Sequence, residues 1–401
     1  MSWRHRVSQL RTVMGIMHGS RAFGGPFQAL LSLTNRCNLR CLHCIFYSPH
    51  LERPNLVPVR RARMMSLELP SEKDIRRLQH IDADTDRTKT LVKDLIRMGT
   101  RRFQFSGSGE PFLHKNALEF MSLAKHAGGT CLVNTNGTLL DHSTIDALVA
   151  MRFDDLQVTT MSGTAGMYRL THPGCKDTSF DTLRENLLYL AERKRALGIK
   201  QPALSLCYVV VAQNHDGIAD FADFANIVQA DRTLFRPFFD VEDSNLAGLV
   251  PSAKEALHVR EQLMEVKGYL DRRGISHNIP NFLAVFERKL DTTALYRAIP
   301  CYYGWLSALI DADGSVYPCC RCHSPLGDIR EMKFEDIWHG RSYQTFRKKA
   351  IHINLRGTLV ENCDCYRCAN NNANFRTYRL LHPFSGSRLD QVWAAHNGVE
   401  T

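Results

Sequence analysis

The sequence predicts an α/β protein built on a parallel sheet of six strands, followed by a smaller α+β domain. Strand-like apolar runs alternate with helix-like segments up to about residue 240, and strands joined by helical crossovers pair in parallel. The run at 204–211 is apolar throughout, which is typical of a strand buried on both faces. Beyond residue 245 the pattern becomes helical and then rich in cysteine. We therefore expect a partial barrel or open curved sheet of six βα units, with a separate cysteine-rich domain after it.

The predicted elements follow one another in a regular order. The six strands are predicted at 27–33, 102–106, 130–134, 156–160, 204–211 and 233–238. The helices between them are predicted at 87–98, 115–127, 142–151, 180–197 and 216–228. The predicted domains are a basic helical arm at 1–26, the sheet domain at 27–245, a helical linker at 246–298, the cysteine-rich domain at 299–385 and a tail at 386–401. An insertion at about 48–85 is expected to cap the pocket or to form a docking surface.

Composition restricts the class of protein. The chain has 401 residues, of which 44% are hydrophobic and 23% charged, as expected for an ordinary folded protein. No apolar run reaches the roughly 18 residues of a membrane-spanning helix, and the first residues do not resemble a signal peptide. We therefore predict a cytoplasmic location. In that reducing compartment the 13 cysteines indicate metal or cluster ligands rather than a disulfide framework.

The net charge of +10 is concentrated near the amino terminus. Residues 1–66 contain ten arginines and a single acidic residue, Glu52. This pattern predicts a solvated basic face or a docking surface for an acidic electron donor, a phosphorylated substrate or an anionic membrane. Nucleic acid is not expected, because no basic motif interleaved with aromatic residues is present. Apolar residues at helical spacing predict a first helix that packs on the sheet domain, or alternatively binds weakly to a membrane surface: Trp3, Val7, Leu10, Met14 and Met17.

The first group of cysteines follows the first predicted strand. Cys37, Cys41 and Cys44 lie within eight residues, on a loop. Three thiolates can hold three corners of a cubane cluster, which leaves one iron open to a substrate or cofactor. A structural zinc site needs four ligands, and His43 is the candidate for the fourth in that alternative.

Other polar segments also follow predicted strands. They are Gly107 to Glu110 after the second strand, Asn134 to Gly137 after the third, and Ser162 after the fourth. Ligands of parallel α/β folds bind at the carboxyl ends of the strands. We therefore expect these segments and the three cysteines to converge on one mouth.

The CX3CX2C motif, the Gly-Ser-Gly-Glu-Pro segment and the six βα units together resemble the radical SAM superfamily, over residues 27–240. The resemblance implies that Cys37, Cys41 and Cys44 hold a [4Fe–4S] cluster. Its open iron would bind the amino and carboxylate groups of S-adenosylmethionine. One electron from the cluster would then release a 5′-deoxyadenosyl radical, which abstracts hydrogen from an unactivated carbon.

The resemblance also assigns contacts to S-adenosylmethionine. Gly107, Ser108, Gly109 and Glu110 match the segment that binds the methionine amino group, although Ser108 interrupts the usual pair of glycines. The remaining candidates are His43, beside adenine; Thr160 and Ser162, near the ribose and carboxylate; and Asn134 and Asn136, in a turn that backbone chemistry explains equally well.

Three residues are candidates for catalysis by position alone. Arg236 ends the sixth strand, deep in the mouth, with a structural ion pair as its alternative role. Tyr168 and His172 follow the fourth strand and are candidates for a general base, with a buried or helix-capping histidine as the alternative role of His172.

The second group of cysteines lies near the carboxyl terminus. The segment 308–320 reads as a β-hairpin with a glycine turn, which returns Cys319 towards Cys301. A helix then leads to Cys365 and Cys368, so these four cysteines form a candidate four-ligand site, with zinc as the alternative. Cys320, Cys322 and Cys363 are nearby alternative ligands. Cys131 and Cys207 lie in apolar runs and are interpreted as small buried hydrophobic residues.

This arrangement resembles the SPASM/twitch extension of radical SAM enzymes. Because the cysteine run of a complete SPASM domain is absent, the resemblance implies the shorter twitch form with one auxiliary [4Fe–4S] cluster. A second auxiliary cluster remains an alternative, with Cys320, Cys322 or Cys363 recruited as ligands.

The functional prediction is an oxidoreductase that acts on a small polar substrate such as a sugar, a cyclitol or a nucleotide sugar. The auxiliary cluster would accept the electron left on the substrate, and an acidic protein such as flavodoxin or ferredoxin would reduce the radical SAM cluster. The alternatives are a radical SAM peptide maturase or epimerase and, from another class, a non-catalytic iron–sulfur or zinc-binding interaction protein. The peptide alternative is placed second because only 26 residues precede the first strand, whereas peptide maturases often carry an amino-terminal peptide-binding domain.

Overall fold

The computed structural model describes residues 3–52, 54–56, 59, 62, 67–238, 244–286, 293–356, 360–363, 365, 368 and 371–383. Within these residues the chain forms one ten-stranded sheet with helices around it. The strand order is β10-β9-β8-β1-β2-β3-β4-β5-β6-β7. The predicted tail at 386–401 lies outside the described residues.

The strands occupy short segments at regular intervals. They are β1 (Gln28–Leu31), β2 (Arg102–Phe105), β3 (Thr130–Thr135), β4 (Asp155–Thr159), β5 (Ala203–Val210), β6 (Arg232–Pro237), β7 (Ser276–His277), β8 (Ser307–Ile310), β9 (Ser315–Tyr317) and β10 (Gly327–Asp328). Strands β1 to β7 pair in parallel, each with the next. The structure therefore confirms the predicted class, a parallel sheet of six βα units followed by a cysteine-rich region.

The helices pack outside this sheet. They are α1 (Trp3–His18), α2 (Glu72–Gln79), α3 (Thr85–Met98), α4 (Ala117–His126), α5 (His142–Ala150), α6 (Ala165–Thr171), α7 (Ser179–Ala196), α8 (Ile218–Ile227), α9 (Ala253–Arg273), α10 (Ile279–Phe286), α11 (Thr293–Ala298), α12 (Tyr303–Leu306), α13 (Phe334–His339), α14 (Arg341–Ala350), α15 (Ile353–Arg356) and α16 (Asn371–Leu381). Each crossover helix buries one apolar face, and in α7 that face contains Leu183, Leu187 and Leu190, as their spacing predicts.

The strands of the cysteine-rich region extend the first sheet rather than forming a separate one. Strand β8 pairs in parallel with β1, with Gln28 opposite Ser307, and the Ser32 N–H donates to the Ile310 carbonyl at 2.9 Å. Strands β9 and β10 then add in antiparallel order. The hairpin itself was predicted, but its pairing with β1 was not. The physical reason is that β1 would otherwise be an edge strand with an unpaired row of backbone groups.

Helix α1 packs through a different face from the predicted one. Ile16 is buried in a cluster with Tyr302 and Trp305, and the Ser8 hydroxyl donates to the Gly99 carbonyl. Leu10, Met14 and Met17, which were predicted to pack, are 60%, 47% and 80% exposed. The small residue Gly15 lets the helix approach the Trp305 ring closely, so the packed side is centred on Gly15 and Ile16. Among the described residues, no helix is both long and apolar enough to cross a bilayer.

The loop that carries Cys37, Cys41 and Cys44 is here called the cysteine loop. The insertion that follows it is anchored to the start of that loop. Helix α2 lies within it and is capped at its amino end by Ser71, whose hydroxyl accepts from the Asp74 N–H. After this helix, Asp82 pairs with Thr34 in an isolated antiparallel bridge. The insertion is therefore joined to the segment that carries Cys37, although several of its residues between 53 and 66 lie outside the described part.

Candidate active site

The cysteine loop leaves the carboxyl end of β1 and is anchored by Asp82. The Thr34 hydroxyl donates to Asp82 at 2.6 Å, and the Arg36 guanidinium donates to both carboxylate oxygens, at 2.9 and 2.6 Å. Arg36 also donates to the Leu113 carbonyl at 2.8 Å. A bidentate arginine–carboxylate pair fixes orientation as well as distance. These contacts fix the backbone that leads into Cys37.

The segment after β2 crosses the cysteine loop so closely that only glycine fits at two positions. A Cβ atom at Gly109 would overlap the Arg36 carbonyl, and one at Gly107 would overlap the Ser32 side chain. The Glu110 N–H donates to the Arg36 carbonyl at 2.8 Å, which joins the two loops directly. The two glycines therefore allow the segment after β2 to pass close to the segment after β1, beside the cysteines.

The Glu110 carboxylate is buried and already has three donors within the chain. It accepts from the Thr135 hydroxyl at 2.7 Å, from the Asn136 N–H at 2.8 Å and from the Phe112 N–H at 3.2 Å. Burial raises the pKa of Glu110 to about 7. The structure thus gives this side chain a role in holding the loops after β2 and β3 together, which the sequence did not predict.

Two donors point at the sulfur atoms of the cysteine loop. The Asn136 amide donates to Asn38 at 2.8 Å and lies 4.0 Å from the Cys37 sulfur. The Tyr47 N–H donates to the Cys44 sulfur at 3.3 Å, and the Tyr47 hydroxyl donates to the Asn35 carbonyl. Tyr47 was not singled out in the sequence, because its contact to sulfur is made by the backbone and leaves no signal in residue type.

The three thiols have the chemistry of cluster ligands. Burial, together with the neighbouring Cys44 and Glu110, raises the pKa of Cys37 to about 11. Burial and the other two cysteines raise the pKa of Cys41 as well, and burial raises that of Cys44. Three thiolates are therefore unfavourable here unless a positively charged centre compensates them, which an iron–sulfur cluster does. Among the described residues, no three metal-binding side chains converge as closely as a single ion requires.

The polar segments that follow the strands converge on one cavity of about 330 Å³, here called the main cavity. Its lining includes the three cysteines of the loop, residues 106–110 and residues 134–136. The further predicted residues that line it are His43 and Arg236. Burial, with His172 and Arg236 nearby, lowers the pKa of His43 to about 3, so this ring is neutral. The Arg236 guanidinium donates to the Gln157 side chain at 3.2 Å.

Four predicted residues do not line the main cavity. Tyr168 and His172 are fully buried and stack on each other at 4.1 Å, and His172 Nδ1 bonds to the Tyr168 carbonyl. The Ser162 hydroxyl donates to the Thr164 carbonyl, and Thr160 is fully buried. Neither Tyr168 nor His172 is thus placed where a general base would meet a substrate in this cavity.

Two residues line the main cavity without having been predicted to do so, although Cys207 is buried as predicted. Thr159 lines it instead of Thr160, because a shift of one residue along a strand reverses the face of the sheet. Cys207 lies on β5 opposite Thr159 and also lines the cavity. It was interpreted as a small buried hydrophobic residue, and a uniformly apolar strand gives no sign of which side chain faces a cavity.

The second group of cysteines also comes together. Six of its members lie in one hydrophobic cluster, of which three are buried and three are partly buried: Cys301, Cys322 and Cys365, and Cys319, Cys363 and Cys368. Burial and mutual repulsion raise the pKa of Cys301 and of Cys319. None of the six lines the main cavity. Because β9 runs antiparallel to β8, Cys319 lies beside the amino end of β8, whereas Cys37 follows the carboxyl end of β1.

One disulfide was not expected from the sequence. Cys322 and Cys363 are joined, because the segments that carry them pair as an antiparallel bridge with Cα atoms 4.1 Å apart. The free thiols left in this cluster are the four that the sequence analysis selected: Cys301, Cys319, Cys365 and Cys368. Cys320 is also free but exposed. Four neighbouring thiols, two of them buried and two half-buried, fit an auxiliary cubane cluster.

Comparison with known proteins agrees with this geometry. Residues 31–225 match the radical SAM superfamily, and residues 301–369 match SPASM, an iron–sulfur cluster-binding domain. A PqqA peptide cyclase from Xanthomonas axonopodis pv. citri (strain 306) is 25% identical over 336 residues, which cover 81% of this chain and 77% of the cyclase.

Two solved structures share the fold. Streptococcus suis SuiB bound to precursor peptide SuiA has a TM-score of 0.58 at 12% identity, covering 90% of this chain and 80% of SuiB. Native anSMEcpe with bound AdoMet and Cp18Cys peptide has a TM-score of 0.56 at 15% identity, covering 94% of this chain and 100% of anSMEcpe.

These matches agree with the cofactors predicted from the sequence. The radical SAM domain binds a [4Fe–4S] cluster and S-adenosylmethionine, and the SPASM domain binds auxiliary iron–sulfur clusters. Three parts of the described structure fit these cofactors: the close backbone approach at Gly107 and Gly109, the three thiols of the cysteine loop and the four neighbouring thiols near the carboxyl terminus. The chain belongs to the radical SAM superfamily of enzymes and carries a SPASM domain.

Proposed function

We propose that this enzyme modifies a peptide by abstracting a hydrogen atom from one of its carbons. Cys37, Cys41 and Cys44 hold the radical SAM cluster, and Cys301, Cys319, Cys365 and Cys368 hold an auxiliary cluster. When bound, the first cluster and S-adenosylmethionine supply a 5′-deoxyadenosyl radical, and the auxiliary cluster supplies a one-electron acceptor. The observation that carries the proposal is the convergence of the three cysteines, the glycine segment and Arg236 on the main cavity.

Support for a peptide substrate comes from the relatives. One curated relative that matches over most of both chains is a PqqA peptide cyclase. The fold is shared with two proteins whose structures contain a peptide, SuiB with its precursor peptide and anSMEcpe with Cp18Cys. This support favours the peptide alternative over the small polar substrate that the sequence analysis placed first.

Arg236 is the side chain of the main cavity best suited to hold a peptide. It is exposed and held by Gln157, and a guanidinium presents five N–H donors in a plane. Such a group binds main-chain carbonyls or a carboxylate of a peptide. Arg236 therefore acts in the proposal as a substrate-binding residue. Tyr168 and His172, which are buried and stacked on each other, have a structural role in the proposal.

The position of the auxiliary cysteines supports an electron-accepting role. They do not line the main cavity, which suits a role in accepting an electron rather than in holding the substrate beside Cys37. The four residues of β8 that separate the two regions span about 13 Å. The product of such an oxidation is two hydrogens lighter than the substrate.

An acidic one-electron donor is part of the proposal. A second cavity of about 550 Å³ shares Cys37 with the main cavity and is lined by Arg36, Arg40 and His80, with Glu52 as an acidic residue. Arg40 and His80 are exposed. A flavodoxin or ferredoxin with an acidic surface suits this basic approach to the cysteine loop.

The experiment uses the anaerobically reconstituted and reduced enzyme with S-adenosylmethionine. Extract of the source cells is divided into a peptide fraction and a small-molecule fraction, and 5′-deoxyadenosine is measured with each. We expect the peptide fraction to stimulate its formation and to contain a peptide that becomes two hydrogens lighter. Digestion of that fraction with a protease should remove the stimulation. Stimulation by the small-molecule fraction alone would contradict the peptide assignment.

A further inference from the structure

A chain of hydrogen bonds reaches two of the four auxiliary cysteines from outside the cysteine motifs. The Tyr296 hydroxyl lies 2.9 Å from the Cys368 sulfur. The Asn374 side-chain nitrogen lies 2.8 Å from that hydroxyl and 3.9 Å from the Cys301 sulfur. Both side chains are buried, at 2% and 0% exposure. Nothing in the cysteine spacing identifies either residue as part of the auxiliary site.

The direction of every bond in this chain follows from one backbone group. The Tyr302 N–H is a donor only, and it donates to the Asn374 side-chain oxygen at 2.7 Å. The Asn374 NH₂ group is therefore the part that faces Tyr296 and Cys301. Because that group donates to the Tyr296 oxygen, the hydroxyl hydrogen of Tyr296 is left to point at Cys368.

A cysteine bound to iron is a thiolate, which carries no hydrogen and can only accept. With a cluster in place, Cys368 accepts from Tyr296 and Cys301 accepts from Asn374. Hydrogen bonds to ligating sulfur withdraw negative charge from it, and this favours the reduced cluster, which carries one more electron.

We propose that Tyr296 and Asn374 raise the reduction potential of the auxiliary cluster by donating hydrogen bonds to Cys368 and Cys301. The inference rests on the proposed function, in which these cysteines hold that cluster. Both residues are positioning residues, since they act through sulfur and not on the substrate. They make the auxiliary cluster a better electron acceptor than its four cysteines alone would.

The test is an EPR-monitored redox titration of the reconstituted full chain and its variants. In Tyr296→Phe the hydroxyl is lost and the ring remains. We expect at least a tenfold smaller equilibrium constant for reduction of the auxiliary cluster, which is about 59 mV downward for a one-electron couple. In Asn374→Asp the side chain still accepts from Tyr302 but has no donor for sulfur. We expect a larger downward shift there, because the carboxylate also draws the Tyr296 hydroxyl away from Cys368.

Tyr343→Phe is the matched control. Tyr343 is equally buried in the same domain, and its hydroxyl donates to the Tyr317 carbonyl at 3.3 Å rather than to sulfur. This variant should leave the potential unchanged. The potential of the radical SAM cluster in the same molecules should stay constant in all three variants.

The outcomes separate this inference from the proposed function. A potential in Tyr296→Phe equal to that of the unchanged chain overturns the inference and leaves the cluster assignment intact. Auxiliary iron that survives Cys301→Ala and Cys368→Ala overturns the ligand assignment instead. If Tyr296→Phe fails to keep the auxiliary cluster, 3,5-difluorotyrosine placed at position 296 provides the opposite change, because its more acidic hydroxyl donates more strongly. The potential should then rise, and an unchanged value again overturns the inference.

Discussion

The Glu110 carboxylate accepts a hydrogen bond from the Asn136 N–H at 2.8 Å, and this contact links the loops after β2 and β3. The Asn136 side chain in turn donates to Asn38 and lies 4.0 Å from the Cys37 sulfur. A buried carboxylate thereby positions a donor beside a cluster ligand. The first prediction tests this relationship.

Glu110→Gln should destabilise the fold. A glutamine offers one acceptor oxygen, and its NH₂ group would face one of the donors that now bind the carboxylate, from Thr135, Asn136 or Phe112. Leaving a buried donor unpaired costs about 1–3 kcal/mol. Urea unfolding measures this change. The control is Glu119→Gln, at a half-exposed glutamate paired with Lys89, which should cost at most about 1 kcal/mol. Equal losses in both variants would contradict the role of Glu110.

Replacing Cys37, Cys41 and Cys44 with alanine should abolish 5′-deoxyadenosine formation. The triple variant should lose about four of the irons bound by the reconstituted chain and keep the auxiliary cluster. Iron analysis and chromatography of the nucleoside products measure both effects. Cys175→Ala, at a cysteine outside both groups, should keep all the iron and the activity. Cleavage of S-adenosylmethionine by the triple variant would refute the assignment of the radical cluster.

The reconstituted chain should bind about eight irons, four in each of two cubane clusters. Alanine at Cys319 or Cys365 should reduce this number to about four. Serine at both Cys322 and Cys363 should leave it unchanged, because these cysteines pair with each other in the structure. About twelve irons, or loss of the auxiliary cluster in the double-serine variant, would show that this pair ligates iron. About four irons with one zinc would instead identify a structural zinc site.

Arg236→Gln should separate cofactor cleavage from substrate modification. Slow formation of 5′-deoxyadenosine without substrate should continue, because Arg236 lies on β6 and supplies no thiol to the cluster. Modification of the peptide should fall at least about tenfold in kcat/KM, the equivalent of about 1.4 kcal/mol of binding in the transition state. Arg232→Gln on the same strand, where the side chain pairs with Asp155, should have little effect. Equal activity of both variants on the peptide would remove Arg236 from the substrate site.

A chain ending at residue 300 should fail to fold as a monomer. Without β8 the backbone groups of β1 would form an exposed edge, and Ile16 would lose its packing partners Tyr302 and Trp305. Size-exclusion chromatography and circular dichroism should report aggregates. A monomeric, folded product that still cleaves S-adenosylmethionine would mean that the first domain is independent of the hairpin.

The local parts of the fold could be predicted from the sequence, and the long-range parts could not. Strand β2 was predicted at 102–106 and found at Arg102–Phe105, because a short apolar run between turn residues is a local signal. The pairing of β8 with β1 joins residues far apart in sequence, and no local pattern encodes it. The apolar stripe of α1 predicted the wrong packing face for a related reason. The face that packs contains Ile16, and it is determined by contact with Trp305, which is distant in sequence.

Site residues that belong to a motif with a fixed spacing could be predicted from the sequence. Site residues whose role depends on the direction of the side chain could not. Cys37 and Gly109 belong to motifs, and the structure places both beside one cavity. Thr159 and Thr160 differ only in which face of β4 they occupy, which depends on the exact end of the strand. His172 was a candidate by position in the chain, but its side chain is directed into the protein, where it stacks on Tyr168.

Transfer of a labelled hydrogen atom from a peptide to 5′-deoxyadenosine tests the central claim most directly. The reduced enzyme and S-adenosylmethionine are incubated with the peptide fraction of source cells grown in heavy water, and the 5′-deoxyadenosine is analysed by mass spectrometry. The account predicts deuterium in the 5′-deoxyadenosine, abolished by prior protease treatment of the fraction. Deuterium that arrives only from the small-molecule fraction of the same cells would contradict it.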